Sequence, residues 1–195
     1  MEEAGLAAGK KNVGPHGTLI FMDESGFSEG SVVRRTWAPR GKTPLLRPRS
    51  CSWKWMSAIG ALAYRRDGRH ARPLLLFQPG PVRTRGVLRF LVHLRRHVRG
   101  RVVLLWDSVQ PHRAQDVKQW IERNHSWISV ERLPPYAPDL NPVEGMWSWL
   151  KGTALANVCE HTLGPVVRRA RRGAAHLRRR PNLLHGFLAK AGLSL

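Results

Sequence analysis

Two short apolar segments of this sequence each end directly at an aspartate. Residues 18–22 read TLIFM and precede Asp23, and residues 101–106 read RVVLLW and precede Asp107. Short apolar runs rich in β-branched and aliphatic residues, bounded by turn signals, predict buried strands of a sheet. Carboxylates that follow such strands stand on rigid elements at the edge where α/β proteins form their sites. The pair therefore predicts an α/β domain with an acidic site at one sheet edge.

A third carboxylate, Glu144, lies at the start of a predicted helix. Asn141 is a suitable N-cap residue and Pro142 suits the first helical position. A helix that begins there would carry Glu144 in its first turn, as a rigid partner for the two strand-end aspartates. The sequence thus predicts that three carboxylates from three separate elements meet at one site.

The order of the predicted elements is mixed α/β, with an early meander and later crossover connections. Helical periodicity places Val87, Leu91 and Leu94 on one face of a helix, with arginines on the opposite face. A second arginine-rich amphipathic helix is predicted near the C-terminus. The predicted strands are 18–23, 32–37, one within 53–64, 73–77, 101–106 and 128–133; the predicted helices are about 83–99, 112–123, one from 142 and one over about 163–180.

The charge of the chain favours a polyanionic partner. Its 195 residues include 33 Lys and Arg against 13 Asp and Glu, a formal net charge of +20. Such a balance favours nucleic acid through counterion release and electrostatic steering. A GC-rich genome would also enrich arginine, so charge alone does not decide the partner.

The sequence lacks the signals of export or membrane insertion. Cys51 and Cys159 lie far apart without metal-ligand spacing, which favours a reducing compartment over a disulfide framework or a zinc site. No signal peptide is evident, and no apolar run approaches the ~18 residues that span a membrane. We therefore expect a cytoplasmic protein that makes no use of a membrane and is associated with the nucleoid when it is bound to DNA.

Three clustered carboxylates beside a polyanion suit metal-dependent phosphodiester chemistry. Two divalent ions about 3.5–4 Å apart can activate a nucleophilic oxygen and stabilise the leaving oxygen. Hard oxygen ligands in an incomplete protein cage favour Mg²⁺, and Mn²⁺ can substitute. The alternative for each residue alone is structural, because strand-end aspartates often form turns and helix-start glutamates often serve the helix dipole.

Four segments, in order, resemble a known family: residues 21–27 (FMDESGF), 37–44 (WAPRGKTP), 104–112 (LLWDSVQPH) and 133–144 (LPPYAPDLNPVE). Together they resemble the catalytic domain of DDE transposases of the mariner-like superfamily, in its bacterial insertion-sequence branch. The resemblance covers about residues 16–155. The sequence departs from the family pattern at Trp106, Ser108 and Gly145.

The resemblance implies a ribonuclease H-like fold, with Asp23, Asp107 and Glu144 as the catalytic triad that binds two Mg²⁺ ions. It implies DNA strand cleavage at the ends of an insertion element, followed by strand transfer into target DNA. The family's N-terminal helix-turn-helix region has no counterpart here, which suggests a truncated copy, a downstream reading frame that needs frameshifting, or a decayed remnant. The resemblance also raises two partner arrangements, a homodimer and a separately encoded helix-turn-helix protein.

The chain divides, on this basis, into a disordered lead-in (1–17), a DDE catalytic domain (18–155) and a basic helical C-terminal extension (156–195). Several further residues are candidates for supporting roles. Those expected near the triad are Glu24, Asp139 and Ser108, and those expected to contact DNA are Arg40, Lys42, His112, Arg168, Arg169 and Arg172. The alternatives are that His112 orients Asp107 or is structural, and that the arginine face over 168–180 is a solvated helix surface.

Two other functions remain open from the sequence. A nuclease of the same ribonuclease H-like fold would hydrolyse nucleic acid without joining ends. A DNA-binding remnant of a transposase would keep the basic surface without catalytic activity, and its binding would depend steeply on salt.

Overall fold

The computed structural model describes residues 17–30, 32–46, 55–68, 70–135 and 137–195. Its centre is a five-stranded mixed sheet with the strand order β3-β2-β1-β4-β5. β1 is antiparallel to β2 and parallel to β4. The strands are β1 (Thr18–Ser28), β2 (Trp55–Arg65), β3 (Ala71–Pro79), β4 (Val102–Trp106) and β5 (Ile128–Arg132).

β1 is central because its apolar side chains are buried on both faces. Alternation sends Leu19 and Phe21 to one face and Ile20 and Met22 to the other, and each set belongs to a different core cluster. Burying side chains of this size stabilises a fold by about 1.5–3 kcal/mol each. The predicted strand therefore forms where expected, and it continues past Asp23 as far as Ser28.

Helices cover both faces of the sheet. α1 and α2 pack on the face of Ile20 and Met22, whereas α3, α4 and α5 pack on the face of Leu19 and Phe21. The α3 helix continues into a short π-helical turn over Leu150–Ala154. The helices are α1 (Thr84–His97), α2 (Gln115–Arg123), α3 (Pro142–Trp149), α4 (Leu163–Arg178) and α5 (Pro181–Lys190).

The C-terminal helices bury the apolar stripe that their sequence predicts. Val166, Ala170 and Leu177 of α4 join the core cluster of Phe21. The Tyr64 hydroxyl of β2 donates a 2.8 Å hydrogen bond to the Leu184 carbonyl of α5. Residues 163–190 thus form part of the layer that covers one face of the sheet, while the domain division at residue 155 stays a prediction.

The predicted strand over 32–37 is wrong, and the helix predicted from His112 starts three residues later than expected. Residues 32–37 form no strand; this segment is exposed, and its backbone pairs instead with Asn157, whose side chain contacts both the amide and the carbonyl of Arg34. Both edges of β1 are already occupied by β2 and β4, so no strand position remains beside it. The helix expected from His112 begins at Gln115, after a 3₁₀ turn over Gln110–Arg113.

The remaining predicted strands and helices are present, with ends shifted by a few residues. The lead-in over residues 1–16 and Cys51 lie outside the described residues. Among the helices that the structure describes, none has the length and apolar character needed to cross a membrane.

Candidate active site

Parallel pairing brings the two strand-end aspartates to the same sheet edge. Phe21 of β1 pairs with Leu105 of β4. Asp23 and Asp107 each lie two positions further along the chain. The register, and not proximity in sequence, therefore places these two residues at the same edge of the sheet.

The start of α3 is anchored against the same point of β1. The Asn141 side chain accepts a hydrogen bond from the Val143 amide at 3.2 Å, which is the N-cap contact that the sequence predicts. The side-chain amide of Asn141 also donates to the Met22 carbonyl at 3.4 Å, one residue before Asp23. Glu144, in the first turn, is exposed and lies close enough to Asp23 for the two charges to interact.

Asp23 is a half-buried carboxylate among other acids. Burial, followed by the charges of Glu144 and Glu24, raises its pKa from 3.8 to about 7. The Trp147 indole N–H donates a 3.0 Å hydrogen bond to Asp23 Oδ2 and partly offsets this effect. Asp23 thus occupies a position where its negative charge is costly unless a cation is nearby.

A glycine on β2 makes the Trp147 contact with Asp23 possible. Gly60 pairs directly with Asp23 in the antiparallel register. A Cβ at Gly60 would collide with the ring of Trp147 and with the Met146 side chain. The missing side chain therefore lets the indole lie over β2 and reach the carboxylate.

His112 contacts two of the acids, Glu24 and Asp107. Its side chain is completely buried, with Nε2 at 2.8 Å from Glu24 Oε1 and Nδ1 at 2.9 Å from Asp107 Oδ1. Burial opposes its charged form, but the hydrogen bonds and charges of both carboxylates prevail and raise its pKa from 6.5 to about 9. The ring stacks on Trp106, with centroids 4.3 Å apart and planes 2° from parallel.

Asp107 is fixed through one of its oxygens. Burial favours its neutral form, but the hydrogen bond and charge of His112 outweigh burial and lower its pKa. The Val109 amide also donates to Oδ1, at 3.3 Å. Among the described residues, none donates to Oδ2, which leaves that oxygen to accept another ligand.

A family model described as "DDE superfamily endonuclease" matches residues 18–161, well over half of the chain. The chain belongs to this DDE endonuclease superfamily. No curated protein matches its sequence.

Solved structures of the Mos1 mariner transposase share the fold of this DDE domain. The paired-end complex with Mg is 19% identical with a TM-score of 0.62, covering 97% of this chain and 58% of the other. A pre-cleavage Mos1 transpososome is 19% identical with a TM-score of 0.57, covering 99% and 61%. The isolated Mos1 catalytic domain is 19% identical with a TM-score of 0.50, covering 99% and 91%.

These likenesses confirm the predicted ribonuclease H-like fold of the DDE domain. The chain spans about 60% of the length of the Mos1 chains in the first matches and almost all of the isolated catalytic domain. A mixed five-stranded sheet with flanking helices is the architecture that this chain shares with them.

Two groups of side chains in the DDE domain could hold a cation. One is the triad, which stays a prediction: the charges of Glu144 and Glu24 act on Asp23, whereas no contact among the described residues joins Asp107 to Asp23 or Glu144. The other consists of Glu24, Asp107 and His112, whose ligand atoms all lie within 4.8 Å of one another. In the second group the His112 imidazole already pairs with both carboxylates, and a cation would have to displace it.

The other predicted site residues are spread over the surface of the DDE domain. Ser108 accepts a 3.3 Å hydrogen bond from Arg132, and Asp139 is exposed in a 3₁₀ turn that shares a groove with Glu144. His112 is buried and therefore presents no face to DNA in this conformation. The remaining predicted DNA contacts are exposed: Arg40 and Lys42 in the loop 32–46, and Arg168, Arg169 and Arg172 on α4.

Sequence reasoning missed three interactions of the site. The contact between Glu24 and His112 spans 88 positions, and the contact between Trp147 and Asp23 spans 124. Arg132, at the end of β5, donates to the Asp107 carbonyl at 3.4 Å. A signal for Arg132 was available, since parallel strand ends share one sheet edge and Arg132 closes the strand next to β4.

The family departure at Gly145 has a packing explanation. A Cβ at Gly145 would approach the Phe187 ring of α5 to 2.9 Å. The small residue therefore lets α5 lie directly against α3, on the side of the helix away from Trp147.

Proposed function

We propose that this chain is the catalytic domain of a transposase, which cleaves DNA at the ends of an insertion element and transfers the freed strand to target DNA. The observation that supports the proposal is the parallel pairing of β1 with β4, which puts Asp23 and Asp107 at one sheet edge, together with the charge of Glu144 on α3 acting on Asp23. Membership of the DDE endonuclease superfamily and the fold of the Mos1 catalytic domain support it.

In this proposal Asp23, Asp107 and Glu144 hold two divalent cations, Mg²⁺ or in its place Mn²⁺. Solved Mos1 complexes are described with each of these metals, which supports the choice. Bound cations would make a water or a 3′-hydroxyl more acidic and stabilise charge on the leaving oxygen. The raised pKa of Asp23 is the electrostatic cost that such cations would remove.

The surrounding residues keep the carboxylates in place for this chemistry. His112 and the Val109 amide hold Oδ1 of Asp107, so that Oδ2 faces a fixed direction. The Trp147 indole does the same for Asp23 through Oδ2. Preorganised ligands of this kind lose little entropy when the substrate arrives.

The proposed reaction proceeds in two displacements at phosphorus. A water oxygen attacks the phosphodiester at the element end; the P–O3′ bond breaks, and the strand leaves with a 3′-hydroxyl. That hydroxyl attacks a target phosphodiester, a new P–O bond forms, and a target 3′-hydroxyl departs. Each step exchanges one P–O bond for another, so no oxidant or energy source is needed.

DNA is the proposed partner, both as element end and as target. Arg40 and Lys42 on the exposed loop, together with the arginines of α4, are proposed contacts to DNA phosphates, which position the duplex without reading its sequence. The proposal includes three further predictions made from the sequence: a homodimer, a separately encoded helix-turn-helix partner, and a cytoplasmic location with association to the nucleoid when the protein is bound to DNA.

The test is nicking of supercoiled plasmid in Mg²⁺ by the wild-type chain beside Asp107→Asn. We expect nicking by the wild type and about a thousandfold less by the variant, because several kcal/mol of transition-state stabilisation are lost. Asp139→Asn, which changes an exposed carboxylate nearby, should nick normally. DNA binding should be preserved in both variants.

Nicking at the wild-type rate by Asp107→Asn would contradict the assignment of the site. A second assay distinguishes a transposase from a hydrolytic nuclease of the same fold. Strand-transfer products should appear when the chain is given a pre-cleaved element end and a target plasmid, whereas a nuclease would yield only shortened strands.

A further inference from the structure

A basic groove lies at the sheet edge opposite the acidic site. Its floor includes Thr18, where β1 begins, about 17 Å along the strand from Asp23 at 3.3 Å per residue. Its volume is about 640 Å³. We call it the basal groove. Five arginines line it: Arg65, Arg72, Arg96, Arg99 and Arg178.

We propose that the basal groove binds the phosphate backbone of duplex DNA, at a surface separate from the acidic site. The five arginines come from three parts of the fold, so their convergence is a property of the tertiary structure. Arg65 and Arg72 belong to the β2–β3 hairpin, Arg96 and Arg99 to the C-terminal end of α1 and the residues after it, and Arg178 to the last turn of α4.

The charges of the basal groove are largely uncompensated. Arg65 contacts Asp67 at 3.4 Å. Of the carboxylates that the structure describes, none forms an ion pair with Arg72, Arg96, Arg99 or Arg178. Nearby guanidinium groups repel one another, and a groove with low-dielectric walls strengthens the positive potential. A bound phosphate would remove that cost.

The lowered pKa values of Arg72 and His93 are consistent with a concentration of positive charge in the basal groove. Its pKa is lowered, first by burial and then by the positive charge of Arg178. Burial likewise lowers the pKa of His93, and the charges of His97, Arg72 and Arg96 lower it further. Several cationic groups therefore act on the same small volume, and the described acid that contacts groove residues is Asp67, beside Arg65 and His70.

A second basic groove continues the first one along α1. It is lined by Arg85 and Arg89 and shares Arg96 and His97 with the basal groove. The 14 residues of α1 extend about 21 Å at 1.5 Å per residue. At 3.4 Å per nucleotide, that length matches about six base-pair steps of duplex DNA. A track of this length suits a polymer better than a single phosphate.

The lining of the two grooves also favours duplex over single-stranded DNA. Single strands are usually held by stacking of their bases on aromatic side chains. Among the described residues that line these grooves, no Phe, Tyr or Trp is present. Arginines without aromatic platforms are suited to phosphates, which in a duplex face outward.

This inference rests on the proposed function only in taking DNA as the partner, and its test needs no catalysis. Fluorescence anisotropy of a labelled 20-base-pair duplex would be followed against NaCl concentration in EDTA. The full chain would be compared with Arg72→Gln/Arg178→Gln and with Arg96→Gln/Arg99→Gln. Lys118→Gln/Arg123→Gln on α2 is the matched control, because it removes the same net charge from exposed positions elsewhere.

The salt slope of log affinity should fall by about one for each arginine that contacts a phosphate, hence by about two in each groove variant. The control should keep a slope close to that of the wild type. Arg72 is partly buried, so thermal unfolding of the Arg72→Gln/Arg178→Gln variant would be measured to check that it folds. Arg96 and Arg99 are exposed, so the Arg96→Gln/Arg99→Gln variant tests the groove without disturbing the core.

Equal slopes for the control and both groove variants would overturn the proposal. A site for free phosphate is tested by replacing NaCl with sodium phosphate at constant ionic strength. If millimolar phosphate alone reduces wild-type binding to the level of the groove variants, the occupant is a small anion and the DNA assignment fails. If the groove variants lower the salt slope but the wild-type chain does not nick plasmid, only the proposed function is contradicted.

Discussion

The acidic site has two sides that meet different electrostatic conditions, although they begin at consecutive residues of one strand. Glu24 faces His112, whose imidazole lies between it and Asp107 and whose pKa is raised to about 9. Asp23 faces α3, where its neighbours are Glu144 and the Trp147 indole, and its own pKa is raised to about 7. On the side of Glu24, His112 supplies the counter-charge, whereas on the side of Asp23 the neighbouring side chains named here are acidic or neutral.

This difference indicates where a cation belongs. On the side of Glu24 and His112, a metal ion would have to replace an existing pairing of opposite charges. On the side of Asp23, a metal ion would replace repulsion between carboxylates and would lower the pKa of Asp23. This electrostatic difference supports our proposal that the triad holds the cations, although the group whose ligand atoms lie within 4.8 Å of one another is Glu24, Asp107 and His112.

The largest expected effect concerns the stability of the metal-free chain. The folded pKa of Asp23 is about 7 and its ordinary value is 3.8, so the folded state binds more protons between these values and loses stability as pH rises through them. Asp23→Asn removes the buried charge. In EDTA at pH 8, the variant should be more stable than wild type by about 2–4 kcal/mol in urea unfolding.

The advantage of Asp23→Asn should shrink toward pH 4, where both forms are neutral at this position. Asp139→Asn, at an exposed turn, should show no such pH dependence. Equal stability of wild type and Asp23→Asn at pH 8 would mean that Asp23 carries no unfavourable charge in the folded chain.

A smaller effect of opposite sign is expected on the other side of the site. His112 has a folded pKa of about 9 against an ordinary 6.5, so its stabilising contribution is complete below pH 6.5 and is lost as pH rises through 9. His112→Gln should therefore lower the free energy of unfolding by about 2–3 kcal/mol more at pH 6 than at pH 10.

The exposed His125 provides the matched control, since His125→Gln removes an imidazole that contacts only a backbone carbonyl. A pH-independent loss of stability in His112→Gln would show that the side chain contributes packing against Trp106 and no charge pairing.

The smallest of these effects concerns the support of Asp23 by Trp147. Gly60→Ala should displace the indole from β2 and lower the free energy of unfolding by about 1–3 kcal/mol. It should also weaken cation binding, since the N–H of Trp147 would no longer orient Asp23. Gly26→Ala on β1 is the control, because open space surrounds that position. Similar stabilities for the two variants would argue against the packing described here.

The sequence predicts the elements that carry the site better than the contacts within it. Asp23 and Asp107 could be recognised because each follows a continuous apolar run, and Glu144 because Asn141 and Pro142 mark a helix start. The predicted strand over 32–37 is wrong because the β-propensity of a segment does not show whether a neighbouring strand has an unpaired edge. Both edges of β1 are already paired, with β2 and with β4.

The side-chain contacts of the site depend on tertiary packing. His112 lies between Glu24 and Asp107 because the 3₁₀ turn before α2 packs beside these two residues. No local sequence pattern specifies that packing. The basal groove likewise joins arginines from three elements whose proximity follows only from the completed sheet.

The proposed cation site is tested most directly by calorimetric titration of Mn²⁺ into wild type, Asp23→Asn and Glu24→Gln. We expect Asp23→Asn to weaken binding by more than about a hundredfold and Glu24→Gln to change it by about tenfold or less, as expected for a residue beyond the metal's own ligands. Binding that survives in Asp23→Asn and disappears in Glu24→Gln would place the cation with Glu24, Asp107 and His112 and would rule out the triad as the cation site.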